Sequence, residues 1–275
     1  MIMRSLLFVP GDRPDRFSKA IASGADALIL DLEDSVSLGR KTHARQAISE
    51  FTSIEQGLPV FVRVNPLTSR LLEEDLQAIT DSRITGLVLP KCESGSDVQM
   101  LSSQSGRPDL KILPVTTETP KAVFGLSSYA NSASTLAGLT WGAEDLPVAI
   151  GASSSREDNG TYTPPYELVR SLTLFGAHAA EVPAIETVFP DIRNLDALAA
   201  YASRGRRDGF SGMMAIHPAQ ITVINDAFTP SADEIAHARK IVAAFAADPD
   251  AGALQLDGMM IDAPHLKQAR RLLSL

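Results

Sequence analysis

Acidic side chains recur at the ends of short apolar runs in this 275-residue sequence, where a chain ordinarily leaves a hydrophobic core. Glu118 ends one such run, and the adjacent carboxylates Glu144 and Asp145 interrupt the run "LTWGAEDLPVAIG". Burying a carboxylate is costly unless a cation or a hydrogen-bond donor compensates its charge. Carboxylates brought together also repel one another unless they share a cation. The pattern favours a metal site, with surface-exposed or lysine-paired carboxylates as the alternative.

The ligand chemistry narrows the choice of metal. The sequence has a single cysteine, Cys92. Of its five histidines, only His217 lies at the end of an apolar run. A multi-thiolate zinc site is therefore excluded, and oxygen ligands suit Mg²⁺, with Mn²⁺ possible. Mg²⁺ usually takes one or two carboxylates and leaves its other positions to water and substrate. Glu118 and one of Glu144 or Asp145 are the expected pair.

Eight apolar runs alternate with helix-type segments, and together they predict the fold. Their nearly continuous hydrophobicity is typical of parallel strands that are covered on both faces. Eight strand and helix units in series predict a (β/α)8 TIM barrel with extra C-terminal helices, with a doubly wound open sheet as the alternative. The runs span residues 5–10, 27–33, 59–65, 84–91, 110–118, 134–145, 182–189 and 212–218.

The helix-type segments contain expected capping residues and apolar faces. In "TPKAVFGL", Thr119 is the expected N-cap and Pro120 the first helical residue. In "YELVRSLTLFGAHAAE", Leu168, Leu172 and Phe175 fall on one apolar face. Two further helical stretches follow the eighth strand, separated by the turn-rich segment "DPDAGALQLDGM".

These stretches predict two parts of the chain. Residues 1–228 form the barrel, and residues 229–275 form a C-terminal helical extension that packs on the barrel or on a neighbouring subunit. The net charge of -8, without a basic block, argues against a nucleic-acid partner. No run approaches the roughly 18 apolar residues of a membrane span, and the first apolar run is too short for a secretory signal. A cytoplasmic protein is expected.

Chemistry in a barrel collects at the carboxyl ends of the strands, so the polar residues that end each apolar run are the candidates for a site. Most of them are acidic, which the simple exit of a chain from a core does not explain. In chain order they are Asp12, Arg13, Asp31, Glu33, Asp34, Arg63, Asn65, Lys91, Glu118, Glu144, Asp145, Glu186 and His217.

The sequence also resembles a known family. The segments "RSLLFVPGDRPDRFSKAIASGADALILDLEDSV", "RVN", "LPK", "TTETPKAVFGL", "GAEDL", "IHPAQI" and "MIDAPHLKQARRLL" look like the citrate lyase β-subunit (CitE-like) branch of the HpcH/HpaI aldolase family. The resemblance covers nearly the whole chain in collinear order. It implies a (β/α)8 barrel that uses Mg²⁺ to cleave or form carbon–carbon bonds in acyl-CoA or acyl-carrier thioesters.

The resemblance implies roles for individual residues. Glu118 and Asp145 would ligate Mg²⁺, and Glu33 and Asp34 would be carboxylates near the metal that hold water. Arg63 would clamp the carboxylate of the oxo-acid fragment, which suits a planar fork of donors. Pairing with Asp31 or Glu33 inside the barrel is the structural alternative for Arg63.

More distant positions also match the family. Arg13, Arg16 and Lys19 would meet the phosphates of the CoA or carrier arm, although a solvated helix face would look the same. Asp262 in "MIDAP" would be a catalytic proton carrier that can reach the active site of a neighbouring subunit. A homo-oligomer, a trimer or hexamer as in relatives, is therefore expected.

The expected reaction is cleavage of a 3-hydroxy-carboxyacyl thioester, such as citryl-CoA or malyl-CoA, into an oxo acid and acetyl-CoA. One alternative is a metal-dependent aldolase that acts on free hydroxy-keto acids. Another is a non-catalytic subunit of a lyase complex that binds a carrier. A Schiff base on Lys91 is disfavoured because the surrounding carboxylates would hold its amine protonated.

Overall fold

The computed structural model describes residues 3–274. They divide into two compact units, Met3–Phe228 and residues 229–274. The first unit contains a strand in each of the eight apolar runs, so all eight predicted strands are confirmed. They are β1 (Ser5–Pro10), β2 (Ala27–Asp31), β3 (Val60–Arg63), β4 (Gly86–Leu89), β5 (Lys111–Pro114), β6 (Leu139–Thr140), β7 (Ala184–Glu186) and β8 (Gly212–Ala215).

The eight strands form a parallel barrel. Their order in the sheet is β5-β4-β3-β2-β1-β8-β7-β6. Two isolated parallel bridges, Ile112 with Leu136 and Val115 with Thr140, join the β5 and β6 edges and close the sheet. The predicted (β/α)8 barrel is therefore confirmed, and the carboxyl ends of all eight strands meet at one mouth.

Helices follow the strands and cover the outside of the barrel. Thr119 caps one of them as expected, because its hydroxyl accepts the backbone N–H of Ala122 at 3.2 Å. The helices are α1 (Phe17–Ile21), α2 (Lys41–Phe51), α3 (Leu72–Ala78), α4 (Gly95–Ser105), α5 (Pro120–Gly125), α6 (Leu146–Ile150), α7 (Pro164–Ala179), α8 (Leu195–Asp208) and α9 (Ile221–Phe228). Short 3-10 helices span Pro14–Arg16, Leu38–Arg40, Leu126–Thr135 and Pro218–Gln220.

Side chains alternate along each strand between two hydrophobic cores. Leu6 and Ile29 belong to the cluster that fills the barrel interior, whereas Leu7 and Leu28 belong to the cluster between strands and helices. Successive strand residues point to opposite faces, so both faces must be apolar. This explains why the runs are continuous in hydrophobicity rather than alternating.

The apolar pattern of α7 marks its packed face only in part, because Leu172 is half-buried and packs against the core but the other two predicted residues do not. Leu168 and Phe175 are 58% and 66% exposed. The buried face instead includes Val169, Thr173 and Arg170. Arg170 can lie there because its Nε donates to the buried carboxylate of Glu186 at 2.7 Å. A buried arginine with such a partner breaks the apolar periodicity by which the packed face was predicted.

The second unit contains α10 (Ala232–Ala247), β9 (Ala253–Leu256), β10 (Met259–Asp262) and α11 (Ala263–Leu273). Part of the segment expected to be an irregular connection instead forms an antiparallel hairpin. Its turn residues Asp257 and Gly258 have φ values of 49° and 82°, the conformation that a tight Asp-Gly hairpin turn requires. How this unit packs stays a prediction. None of the helices in the described part of the chain is long and apolar enough to cross a membrane.

Candidate active site at the barrel mouth

A two-point ion pair joins Arg63 and Asp31 at the mouth. The two residues lie opposite each other in the register of β2 and β3. Arg63 Nε and Nη2 donate to the two carboxylate oxygens of Asp31 at 2.6 and 2.7 Å. Burial of Asp31 acts to raise its pKa, but the bonds from Arg63 outweigh burial and hold the pKa below its ordinary value. The structural alternative for Arg63, pairing within the barrel, is thus observed.

Glu33 is the next carboxylate of the site, and it is buried beside the cationic side chains of Arg63 and Lys91. Its Oε1 accepts a hydrogen bond from Lys91 Nζ at 2.9 Å. Its Oε2 lies 3.0 Å from Arg63 Nη1, but without hydrogen-bonding geometry. Burial raises the pKa of Glu33, and the positive charges of Arg63 and Lys91 oppose that rise. Glu33 therefore has spare acceptor capacity at the mouth.

The two predicted metal ligands contact the same lysine. Glu118 follows β5 and is 5% exposed, whereas Asp145 directly precedes α6 and is half-buried. The backbone N–H of Lys91 donates to Glu118 Oε2 at 2.5 Å. The ammonium of Lys91 lies 3.4 Å from Asp145 Oδ1. Glu118 and Asp145, from the ends of two neighbouring strands, therefore both contact Lys91, one through its backbone N–H and the other through its ammonium.

The charges at the mouth perturb these groups in a consistent way. Burial raises the pKa of Glu118 to about 8, and the negative charges of Asp145 and Glu33 add to the rise. Burial acts to lower the pKa of Lys91, but its hydrogen bond to Glu33 and the nearby carboxylates outweigh burial and raise the pKa. A firmly protonated amine is a poor nucleophile, which counts against a Schiff base on Lys91.

A buried lysine behind the mouth holds the loop that carries Glu33. Lys41 Nζ donates to the backbone carbonyls of Leu32 and Glu33 at 2.5 and 2.7 Å. It also donates to the side chain of Asn65 at 3.2 Å, and Asn65 in turn bonds to the fully buried Asp75. Because a buried ammonium needs several acceptors, these contacts restrain the loop after β2.

We call the six side chains at the mouth the mouth cluster. Its four carboxylates face two cations, which leaves two formal negative charges. The atoms of the cluster that could ligate a metal are all carboxylate oxygens. One of them, Glu33 Oε2, has no hydrogen-bond partner among the described residues. The cluster consists of Asp31, Glu33, Arg63, Lys91, Glu118 and Asp145.

These features fit a magnesium ion. Within residues 3–274, no three His, Cys, Asp or Glu side chains converge to form a complete metal-binding set. The chain thus offers the two carboxylates Glu118 and Asp145, and Mg²⁺ commonly accepts such a small protein set with water and substrate in its other positions. The excess of two negative charges matches the charge of the ion.

Two contacts at the mouth had not been predicted from the sequence. The guanidinium carbon of Arg63 lies 4.9 Å from the ring centre of Phe8, which supports the guanidinium plane from β1. Gly142 gives Glu118 its room, because a Cβ there would lie 2.7 Å from Glu118 Cγ. The glycine of "GAEDL" was the available signal for a close approach.

Other predicted residues lie at the edge of the mouth or outside it. Asp34 is exposed, although its charge acts on Glu33 and Arg63. Arg16 and Lys19 are exposed on the segment after β1, and exposed Arg13 donates to Asp15 at 3.0 and 2.9 Å. The basic group therefore lies on a solvated helix face, and its role toward a phosphate stays a prediction.

Asp262 belongs to the second unit, at the end of β10. It caps α11 and contacts Nδ1 of His265. The hydrogen bond from His265 lowers the pKa of Asp262. Its proposed part in catalysis stays a prediction.

Two strand-end residues have structural roles. Glu186 points into the layer between β7 and the helices, where it accepts hydrogen bonds from Trp141, Arg170 and Tyr201 at 2.5–2.8 Å. It therefore belongs to a different polar network from the mouth cluster. His217 accepts the backbone N–H of Ala219 at 3.1 Å and caps the following 3-10 helix.

The barrel and its acidic mouth define a (β/α)8 protein with an oxygen-donor site for a divalent cation. Residues 4–218 match the family model described as HpcH/HpaI aldolase/citrate lyase. The chain belongs to the HpcH/HpaI aldolase/citrate lyase family.

Individual relatives agree with this assignment. The chain is 36% identical to a citrate lyase subunit beta-like protein of Mycobacterium tuberculosis, across 97% of this chain and 93% of that protein. It is 31% identical to the mitochondrial citramalyl-CoA lyase of Homo sapiens, across 99% and 85%. A crystal structure of CitE from Mycobacterium tuberculosis, in complex with magnesium, acetoacetate and coenzyme A, superimposes with a TM-score of 0.86 at 35% identity, across 99% and 97% of the two chains.

Proposed function

We propose that this chain is a Mg²⁺-dependent carbon–carbon lyase that converts a 3-hydroxy-carboxyacyl-CoA into an oxo acid and acetyl-CoA, or runs the reverse reaction. The observation that carries this proposal is the contact of Glu118 and Asp145 with one lysine, in a cluster that has a formal excess of two negative charges when all its carboxylates are ionised. A relative named citramalyl-CoA lyase and a CitE structure with magnesium, acetoacetate and coenzyme A support the reaction class.

Glu118 and Asp145 are the residues that would hold the metal. A bound Mg²⁺ would supply a Lewis acid that stabilises the negative charge on the substrate hydroxyl oxygen as that hydroxyl loses its proton, before the carbon–carbon bond breaks. Glu33, whose buried Oε2 makes no hydrogen bond among the described residues, is proposed as the carboxylate near the metal that holds a water molecule.

Arg63 would bind the carboxylate of the oxo-acid fragment while remaining paired with Asp31. A guanidinium has five N–H donors, and Asp31 accepts from the edge formed by Nε and Nη2. Nη1 lies 3.0 Å from Glu33 Oε2 without hydrogen-bonding geometry, so the N–H donors at the end formed by Nη1 and Nη2 would turn to the substrate carboxylate. Asp31 and Phe8 keep the guanidinium in one plane, so the clamp is oriented before substrate arrives.

Proton transfer needs a base for the substrate hydroxyl and an acid for the enolate of the thioester fragment. Asp262 is the proposed carrier, and its carboxylate contacts Nδ1 of His265. Arg16 and Lys19, together with Arg13, are proposed to meet the phosphates of coenzyme A. A homo-oligomer and a cytoplasmic location remain predictions.

The proposal is tested with Glu118→Gln and Asp145→Asn, which remove one charge each and keep the side-chain shape. Turnover of citramalyl-CoA, malyl-CoA and citryl-CoA is measured with Mg²⁺ and with a chelator. We expect either variant to lose at least about a hundredfold in kcat/KM, as for loss of one strong electrostatic contact to a transition state. Glu144→Gln is the matched control, because this neighbouring carboxylate is exposed.

Three outcomes would contradict the proposal. Wild-type rates in either ligand variant would remove the metal assignment. Equal turnover of the free hydroxy acids and their CoA thioesters would indicate an aldolase that does not need the thioester. Binding of a thioester carrier without any metal-dependent turnover would indicate a non-catalytic subunit.

A further inference from the structure

Lys91 connects more of the mouth cluster than any residue predicted to act there. It follows β4 at a distance of two residues, and its side chain is about one-third exposed. Its backbone N–H donates to Glu118 Oε2 at 2.5 Å, while its ammonium lies 2.9 Å from Glu33 Oε1 and 3.4 Å from Asp145 Oδ1. One residue therefore contacts both proposed metal ligands by two different groups.

The backbone of Lys91 is in an unusual conformation. Its φ is 51°, in the left-handed region that disfavours a side chain because Cβ crowds the following carbonyl oxygen. Such a conformation persists where the surrounding structure holds it, and it occurs often at functional sites. Here it directs the N–H toward Glu118 and the side chain toward Glu33 and Asp145.

We propose that Lys91 is a positioning residue that sets the affinity of the mouth for its divalent cation. In the metal-free protein its ammonium compensates Asp145, and on metal binding it gives up Asp145 and stays with Glu33. This inference rests on the proposed function, because it takes Glu118 and Asp145 as the ligands. The longer of the two ammonium contacts, at 3.4 Å, is the one released.

The charge of Lys91 opposes the incoming cation. Two positive groups beside the same carboxylate repel each other, so the ammonium weakens metal binding compared with an uncharged side chain. Both Lys91 and Asp145 are about one-third exposed, which screens the repulsion by solvent. The expected effect of removing the charge is therefore moderate, about three- to tenfold in the dissociation constant.

The experiment measures equilibrium binding of Mn²⁺ alone to the full chain, by the electron paramagnetic resonance signal of the free ion, without substrate. Lys91→Met keeps a long apolar stem and removes the charge. We expect its Kd for Mn²⁺ to fall about three- to tenfold, whereas Lys91→Arg, which keeps the charge, should retain a Kd close to the wild-type value. Lys91→Gln also removes the charge and is measured beside Lys91→Met. If one of the two variants fails to fold, the other still tests the prediction.

Lys121→Met is the matched control. This lysine lies three residues after Glu118 in the sequence, but it is exposed and pairs with Glu93 at 2.6 Å. Removing its charge should leave the Kd for Mn²⁺ unchanged. An unchanged or weaker affinity in Lys91→Met and Lys91→Gln would overturn the inference, because an ammonium that merely supports the fold, or that helps to hold the metal, cannot weaken binding.

Failure of this inference can be distinguished from failure of the proposed function. If the wild type binds no Mn²⁺, or if Glu118→Gln and Asp145→Asn bind it as the wild type does, the metal site itself is wrong. If those two variants lose binding while Lys91→Met keeps the wild-type Kd, the metal site stands and the role of Lys91 is refuted.

Discussion

Single contacts at the mouth differ in what they contribute. Arg63 and Asp31 form a buried pair with two hydrogen bonds, so neither charge is left uncompensated. Glu118 has only the N–H of Lys91 as a hydrogen-bond donor among the described residues, and its pKa rises to about 8 because burial outweighs that bond. The charges of Arg63 and Asp31 therefore compensate each other, while the proposed metal ligand Glu118 forms no ion pair among the described residues.

Gly142 is the residue whose replacement should move Glu118 with least damage elsewhere. A Cβ at this position would lie 2.7 Å from Glu118 Cγ and 3.2 Å from both Glu118 Oε1 and Val115 Cγ1. Gly142→Ala should displace the carboxylate, lower kcat/KM at least about tenfold, and cost about 1–2 kcal/mol in the free energy of unfolding, as overpacking does. Steady-state kinetics with Mg²⁺ and urea denaturation measure the two effects.

Gly39→Ala is the control for this substitution. A Cβ at Gly39 meets no atom within 4 Å, so activity and stability should change little. If Gly142→Ala kept full activity, the close approach of this backbone to Glu118 would have no functional meaning.

The connection of β7 to its covering helices depends on one buried carboxylate. Glu186 is fully buried and accepts from Arg170 on α7 and Tyr201 on α8. Glu186→Gln would leave Arg170 paired with Asp208 alone, and removing one partner of a buried ion pair costs about 3–5 kcal/mol. Urea denaturation should show a loss near the lower end of that range, because Asp208 remains.

A second ion pair on α7 provides the comparison. Glu167 pairs with Arg204 of α8, but both side chains are about one-third exposed. Glu167→Gln should cost less than about 1 kcal/mol, as exposed pairs do. Equal losses in Glu167→Gln and Glu186→Gln would mean that burial does not set the worth of these pairs.

The amino ends of β1 and β2 are joined by Arg4 and Asp26, and this link should depend on pH. Burial acts to raise the pKa of Asp26, but hydrogen bonds from Arg4 outweigh it and lower the pKa below its ordinary 3.8. The folded state therefore binds a proton less readily than the unfolded chain does. The contribution to stability is present above about pH 4 and is lost as the pH falls through the folded pKa.

Asp26→Asn tests that dependence. Near neutral pH the variant should be less stable than the wild type by under about 1 kcal/mol, since the pair is partly solvated. The difference should shrink between pH 4 and pH 2, as followed by urea denaturation in that range. A difference that stayed constant with pH would assign it to packing rather than to charge.

How far the sequence predicts these elements depends on the kind of information that each needs. All eight strands were predictable because each is a short, locally continuous apolar run. The closing bridges between β5 and β6 were not, because pairing of distant segments leaves no local periodicity. Pairing of Arg63 with Asp31 or Glu33 was an alternative from the sequence, but the two-point contact with Asp31 depends on the register of β2 and β3, which no local pattern shows. The packed face of α7 could not be predicted correctly because it includes the charged residue Arg170. The partner that allows its burial, Glu186, lies on β7.

The candidate site shows a similar division. Glu118 and Asp145 could be named as candidate ligands because of their residue type, their place after strands and the family resemblance, and their role as ligands stays a prediction. The role of Lys91 as the link between them was not, because it depends on a left-handed backbone and on contacts to two other loops.

Across the chain as a whole, the proposed catalytic parts belong to two units. Glu118, Asp145 and Arg63 lie in Met3–Phe228, whereas Asp262 lies in residues 229–274. The second unit has a small hydrophobic core of its own, which includes Ile241, a residue of α10. The predicted role of Asp262 allows two arrangements, in which a site receives this residue from its own chain or from a neighbouring chain of an oligomer. These two arrangements make different predictions for mixed assemblies.

Mixing two inactive variants distinguishes them. In a closed homo-oligomer assembled from equal amounts of Glu118→Gln and Asp262→Asn chains, a site shared between neighbours is intact when a chain with Glu118 adjoins a chain with Asp262. Random assembly then restores about a quarter of the wild-type activity, because each of the two conditions holds in about half of the positions. The variants are co-expressed with different affinity tags and purified over both, and turnover of the CoA thioester is measured. If each chain completes its own site, no position contains both residues and the mixture stays as inactive as its components.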